Sequence, residues 1–291
     1  MKVILIFIIV VLVYVVWQYF ELQKFEVTEY ELHSAKIQEE LRIIMISDLH
    51  AHVYGHDNDT LFAAVKEKKP DLILIPGDMV VGKKPASYET AYRAFQGLLP
   101  IAPVYFSNGN HESKPARKKL PYSAQFLAYE KKVKDLGVHI LNNESEIVRH
   151  GKDALQIYGA EIDMACYAKG KKVPLEDGFL TQHLGKAGDG YNILLAHNPA
   201  YSSQYAAWGA DLSLCGHNHG GLVRIPGIGS LISPQFVLFP KYDAGRFSFG
   251  KKEVIIGRGL GTHTFHIRIF NRAELVFIRV LPENREGTEE K

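Results

Sequence analysis

The chain is poor in cysteine: Cys166 and Cys215 are the only two among 291 residues, and they form no CxxC pair. That excludes both a disulfide framework and a thiolate metal knot. Cys215 closes the apolar run Leu212–Cys215 and reads as a small buried core residue. An excess of either charge is also lacking. Against 32 Asp and Glu stand 34 Lys and Arg, a formal net charge of +2. A chain this close to neutrality has no overall electrostatic footprint for nucleic acid, so a nucleic-acid partner is disfavoured. Internal repeats and low-complexity blocks are absent as well. The hydrophobic share of 46% and charged share of 23% exclude full disorder and allow a sizeable core.

What is present begins with a long apolar run. Val3 to Trp17 contains no charge, and Gln18, Tyr19 and Phe20 follow. As a helix, Val3–Phe20 is about 27 Å long, close to the roughly 30 Å of a bilayer's hydrocarbon core. Trp17, Tyr19 and Phe20 suit the headgroup boundary. A cleaved signal peptide would have a shorter apolar stretch and an A-x-A-like site after it, and a core helix would show a polar face. Residues 1–20 are therefore predicted to be an uncleaved single-pass anchor, in contact with lipid through residues 3–20. Lys2 before the span and Lys24 and Lys36 after it nearly cancel, which leaves the facing side open.

Residues 21–40 read as a membrane-proximal segment with a first strand, marked by Phe25, Val27, Tyr30 and Leu32. Residues 41–282 form the domain, and 283–291 a loose polar tail. Within the domain, apolar runs at 43–46, 72–75 and 104–106 alternate with helical patterns near 59–69, which Pro70 stops, and 87–99. A further helix is predicted over 122–136. Strands follow at 138–141, 146–148, 155–158, 193–196, 212–215, 253–256 and 274–280, with long loops at 163–190 and 225–245. Alternation in the first half and strand richness in the second predict an α/β domain of two packed sheets.

Five of these runs end in residues that ligate metals: Asp48 and His50, Asp78, Asn110 and His111, His197, and His217 and His219. Strand carboxyl ends gather at one edge of an open α/β sheet, where ligands bind. Asp48 and His50, two apart on an extended segment, point to one side, and His217 and His219 repeat that spacing. A carboxylate such as Asp78 can bridge two ions, and Asn110 adds a neutral carbonyl oxygen. Mixed imidazole, carboxylate and amide donors suit Mn, Fe, Zn or Ni better than Mg or Ca. Alone, a D-x-H or a Gly-Asp pair is an ordinary turn; the ordered set of five is specific.

The order D-x-H, G-D, G-N-H-E, H, G-H-x-H resembles the calcineurin-like metallophosphoesterases from about Leu41 to Val280. The bacterial membrane-associated branch, with proteins resembling UDP-diacylglucosamine hydrolases, looks nearest. Gly216–Pro226 and Gly259-Leu260-Gly261 carry that likeness, although members often have Gln where this chain has Leu222. The resemblance implies two mixed sheets flanked by helices, an αββα sandwich. It implies a first metal on Asp48, His50, Asp78 and His219 and a second on Asp78, Asn110, His197 and His217. Two divalent ions are expected, Mn or Fe, or alternatively Zn. A hydroxide bridging them would attack phosphorus in line, with His111 as the catalytic residue beside the leaving group. Glu112 is either a partner that orients His111 or a plain exposed acid.

The substrate implied is a phosphorylated small molecule or a lipid-linked one, cut at a phosphodiester or pyrophosphate bond. A noncatalytic scaffold and a nuclease are the alternatives. His52 and Arg224 are candidate substrate contacts, with Tyr54 and His56 beside them, and loops 163–190 and 225–245 are the expected pocket walls. His263 and His266 read as structural, and Lys169, Lys171 and Lys172 as a solvated loop cluster.

Overall fold

Alternation along one short strand sets the layer order. Ile43 and Met45 turn to one face of the first sheet and Ile44 and Ile46 to the other, and all four are buried. A strand buried on both faces must lie between two layers. The computed structural model, described for residues 2–170, 173–221, 223–233, 235–262 and 266–283, shows those layers. Leu222, His263, Lys171, Lys172 and residues 284–291 lie outside the described residues.

In chain order the elements are α1 (Lys2–Leu22), β1 (Phe25–Ser34), β2 (Leu41–Met45), α2 (Asp59–Glu67), β3 (Leu72–Ile75), α3 (Ala86–Leu98), β4 (Val104–Phe106) and α4 (Asn110–Arg117). Then come α5 (Ser123–Asp135), β5 (His139–Ile140), β6 (Glu144–His150), β7 (Asp153–Ala160), α6 (Phe179–Leu184), β8 (Tyr191–Ala196) and α7 (Ser202–Trp208). The chain continues with β9 (Leu212–Cys215), β10 (Arg224–Ile225), β11 (Gly229–Ser230), β12 (Gly245–Phe249), β13 (Lys252–Ile256) and β14 (Ala273–Pro282).

One six-stranded sheet runs β1-β14-β2-β3-β4-β5, and a second runs β12-β13-β9-β8-β7-β6. Both are mixed. β2 to β5 are parallel and β14 runs against β2; β7, β8, β9 and β13 are parallel, with β6 and β12 antiparallel at the edges. Met45, Leu74, Ile157, Ile193, Leu214 and Ile255 interdigitate between the sheets. Phe95, Leu98 and Phe126 cover the outer face of the first sheet, and Tyr201 and Tyr205 that of the second. This is the two-sheet, helix-flanked architecture that the sequence predicts.

The predicted helices appear at 59–67, 86–98 and 123–135. The strand expected at 146–148 is longer, 144–150, because it pairs residue for residue with β7. Both cysteines are buried and free. α1 is long and apolar enough to cross a membrane and is exposed over nearly all its length. Its foot is docked: Gln18 Nε2 donates to the Arg268 carbonyl (2.9 Å), Arg268 N–H donates back to Gln18 Oε1 (3.0 Å), and Arg272 Nε reaches Glu21 Oε1 at 2.6 Å.

Candidate metal centre and substrate cavity

The parallel strands of both sheets deliver their carboxyl ends to one place. Asp48 and His50 follow β2, Asp78 follows β3, and Asn110 follows β4 at the first position of α4. His197 follows β8, and His217 and His219 follow β9. The turns are tight, and Asp48, His50, Asp78, His217 and His219 all have positive φ, between 47° and 70°. Non-glycine residues rarely hold that conformation, and it concentrates at functional sites. Glycines let the loops close. Gly77 has φ +106°, and a Cβ there would lie 2.5 Å from Gly109 N; a Cβ on Gly216 would lie 2.3 Å from Asp48 Oδ2.

Backbone bonds stitch the loops together. Asp48 N–H donates to Gly77 O (3.1 Å) and His50 N–H to Asp78 O (3.0 Å), while Gly261 N–H donates to Asp48 O at 2.6 Å. His217 N–H reaches across from the second sheet to the Asp48 carboxylate, 2.9 Å from Oδ1.

The imidazoles are aimed by their far nitrogens. His50 Nδ1 lies 3.0 Å from Val80 O, His197 Nδ1 2.8 Å from Pro76 O, and His219 Nδ1 3.2 Å from Gly261 O. A carbonyl only accepts, so each Nδ1 carries a proton and each Nε2 is the nitrogen turned inward. Those nitrogens converge on the carboxylates. His197 Nε2 is 3.1 Å from Asp78 Oδ2 and 3.8 Å from Asp48 Oδ1; His219 Nε2 is 3.4 Å from Asp48 Oδ1; His50 Nε2 is 3.8 Å from Asp78 Oδ2 and 3.2 Å from His219 Nε2. Asn110 Oδ1 is buried and finds no hydrogen-bond donor among the described residues. Three overlapping groups offer ligand atoms within 4.8 Å of one another: Asp48, His50 and His219; His50, Asp78 and His111; and Asp78, His197 and His217. Such a donor set fits a pair of borderline transition-metal ions.

The electrostatics agree. Burial pushes the Asp48 carboxyl up to about 6, with His197 opposing and Asp78 adding to the rise. Burial would also raise Asp78, but His197, His111 and His50 outweigh it and hold that carboxyl well below the usual range. Burial lowers His197, yet the Asp78 and Asp48 carboxylates lift it to about 9. Carboxylates this dry and this close need positive charge between them.

His111 is held differently. Its Nδ1 accepts from Gly82 N–H at 3.1 Å, so in the neutral ring the proton sits on Nε2. Burial lowers its pKa and favours that neutral form. Its own N–H donates to Asp78 Oδ1 at 2.9 Å, tying α4 to the central carboxylate. Glu112 is fully buried. It accepts from Asp78 N–H (2.9 Å), Val80 N–H (3.1 Å) and Gly109 N–H (3.0 Å). The reading of Glu112 as an exposed acid is thereby corrected: it fastens the β3 loop to the start of α4.

Over this cluster lies a cavity of about 420 Å³ lined by Asn110, His111, His217 and His219, with Lys83, Lys84, Lys114 and Lys169 among its walls. Tyr167, in its wall, sets its ring 5.0 Å from that of His217. Met164 and Tyr167 from the first long loop and Gln235 and Phe236 from the second line it, as expected of those segments. His52 and Arg224 are not among its lining residues. His52 is turned to the foot of α1, beside the Leu22 backbone and the Tyr54 ring. Arg224 Nη1 pairs with Asp243 Oδ2 at 3.0 Å. Tyr54 is a core residue whose hydroxyl donates to the Leu260 carbonyl, and His56 is exposed. The lysines of the rim come from three separate places in the chain, with no local pattern to mark them. Arg268 was equally hidden: buried, with burial lowering its pKa to about 10, it donates to the carbonyls of Arg258, Gly259, Gly261 and Asn271.

Two mixed sheets whose strand ends meet over a buried carboxylate–imidazole cluster define a metal-dependent phosphoesterase. The chain belongs to the calcineurin-like phosphoesterases, whose family pattern matches residues 41–221. It is similar to phosphodiesterase YaeI of Escherichia coli, with 26% identity over 243 residues and 82% of each chain covered. It is also similar to UDP-2,3-diacylglucosamine pyrophosphatase LpxG of Chlamydia muridarum, with 25% identity and 84% of each chain covered. Among solved structures, sulfate thiohydrolase SoxB of Thermus thermophilus shares the fold at a TM-score of 0.52 and 13% identity; the match covers 88% of this chain and 58% of that one.

Proposed function

We propose that this protein is a membrane-anchored hydrolase of phosphodiester or pyrophosphate bonds in an amphipathic substrate. In this reading Asp48, His50, Asp78 and His219 hold one divalent ion, and Asp78, Asn110, His197 and His217 hold a second, with Mn or Fe preferred and Zn an alternative. The observation that carries the reading is the set of imidazoles locked through Nδ1 with Nε2 turned onto two buried carboxylates. When bound, the ion pair supplies charge for the phosphoryl oxygens and acidifies an attacking water.

The chain's own groups do the rest. His111 presents Nε2–H to the leaving oxygen as the P–O bond breaks, because its other nitrogen is occupied by Gly82 N–H. Asp78 holds α4, and so His111, at a fixed place through the His111 N–H. Lys83, Lys84, Lys114 and Lys169 give the rim a positive charge suited to phosphate groups. α1 supports the membrane part of the reading by its length and exposed apolar surface. The likeness to a UDP-2,3-diacylglucosamine pyrophosphatase supports a nucleotide-linked lipid as the kind of substrate.

The test is hydrolysis of bis(p-nitrophenyl) phosphate by the full chain in detergent. Turnover is expected with Mn, is lost in chelator, and returns when Mn is restored. Two bound metal ions with no turnover on diesters or diphosphates would replace the enzyme reading with a scaffold.

A further inference from the structure

Large apolar side chains of this domain are mostly buried, and outside α1 most of the exceptions gather in one region. Phe236, Val237, Leu238 and Phe239 are 50%, 42%, 64% and 60% exposed, and Ile267 and Phe270 are 39% and 70% exposed. They belong to one ribbon. Ile269 bridges to Val223, Leu231 N–H donates to Val223 O (2.9 Å), and Phe239 N–H donates to Leu231 O (3.0 Å). Phe236, Phe239 and Phe270 all hold positive φ, a costly conformation for an aromatic residue in a surface segment. A contiguous exposed apolar patch of this kind marks an interaction site.

Its position says with what. The ribbon begins at the foot of α1, where Gln18 hydrogen-bonds the backbone of Arg268 between Ile267 and Phe270. Trp17, Tyr19 and Phe20 crowd the same end of the helix. The ribbon also opens on the cavity, which Phe236 and Ile267 line together with His217 and His219. Lys169 Nζ sits 4.9 Å above the Phe236 ring, and Lys241 lies two residues past Phe239. Apolar side chains flanked by lysines are the composition of a surface that rests in lipid headgroups.

We propose that this ribbon lies in the surface of the bilayer that α1 enters, and that it passes the apolar part of a membrane-resident phosphoester into the cavity while the phosphate meets the metal centre. The inference rests on the anchor and phosphoesterase readings above and adds the route by which substrate arrives.

The full chain, reconstituted in phosphatidylethanolamine–phosphatidylglycerol vesicles, tests it. Cys166 and Cys215 are buried, so a nitroxide can be placed at Leu238→Cys and, for comparison, at Ile147→Cys on the opposite edge of the sandwich. The collision ratio of oxygen to aqueous chromium oxalate should be about ten-fold higher at 238, as for a side chain seated 5–10 Å into the interface. Equal ratios at the two sites overturn the proposal. Shielding of 238 from both reagents, as a second copy of the chain would give, also overturns it. The double variant Leu238→Asp, Phe239→Asp should lose about ten-fold or more in kcat/KM on a vesicle-borne nucleotide–lipid diphosphate, the cost of moving apolar area out of lipid, with soluble diester hydrolysis unchanged. Equal loss on both substrates, or on neither, refutes the delivery role. A parent chain that turns over neither substrate refutes the phosphoesterase reading instead, and the collision ratios still decide the bilayer contact.

Discussion

Replacing Glu112 by Gln removes one acceptor from the carboxylate that fastens three backbone N–H groups beside the metal centre. One oxygen serves Asp78 and Gly109 and the other serves Val80. In the Gln variant the remaining oxygen keeps the first two, and the amide NH2 meets Val80 N–H donor to donor. A hydrogen bond to a charged group contributes about 1.5–3 kcal/mol, and a stranded buried donor costs about 1–3 kcal/mol. Glu112 is itself destabilised by burial and by Asp78, which together raise its pKa, so the neutral amide regains part of that loss. A net cost of about 1–2 kcal/mol lowers the unfolding temperature by roughly 2–8 °C for a domain of this size. The metal effect should be larger in proportion. Val80 O is the acceptor that fixes His50 Nδ1, and loss of such an outer partner weakens metal affinity by about 10–100-fold. Mn titration by calorimetry, with thermal unfolding of the same samples, measures both. Affinity within about three-fold of the parent together with an unmoved transition would refute the fastening role.

His111→Ala should reduce turnover by about 10²–10⁴ while elemental analysis finds the parent's metal content; loss of metal would make it a ligand instead. Asp78→Ala should weaken both ions at once, since two of the three overlapping ligand groups draw on its carboxylate, and retention of two tightly held ions would exclude the bridge. Chelation should lower the unfolding temperature as well as abolish activity, because an ion at 100 times its Kd stabilises the folded chain by about 2.7 kcal/mol. A melting curve indifferent to chelator would mean that the two sheets hold without it.

The strand ends were legible because each combines a local signal with a rule of topology. An apolar run followed by Asp, Asn or His needs no partner elsewhere to be noticed, and parallel strands bring such ends together. The helix that starts at Asn110 was not legible. Pro115 falls inside it and reads as a breaker, while its start depends on Glu112 reaching back to Gly109 N–H. Whether Glu112 was buried also could not be read locally. Its other two partners, Asp78 and Val80, lie more than thirty residues earlier in the chain. Arg224 shows the same limit, since Asp243, nineteen residues away, binds the guanidinium that the sequence offered to substrate. Arg268 sits among apolar residues, and its task, holding four carbonyls of its own loop region, leaves no pattern in composition.

The strained loops are joined physically to α1. Positive φ at five candidate ligand positions costs of order 1–3 kcal/mol each, so the surroundings must over-determine those turns. The first sheet does so through Asp48 N–H and His50 N–H on the β3 loop, and the second through His217 N–H on the Asp48 carboxylate. A third support comes from Arg268, whose guanidinium holds the Gly259 and Gly261 carbonyls, the latter also the acceptor for His219 Nδ1. The backbone of that same Arg268 is what Gln18 grips at the foot of α1. Helix foot, apolar ribbon and His219 are thus joined through one buried residue. The contact that seats α1 on the domain thus reaches, through Arg268, the loop whose Gly261 carbonyl aims His219.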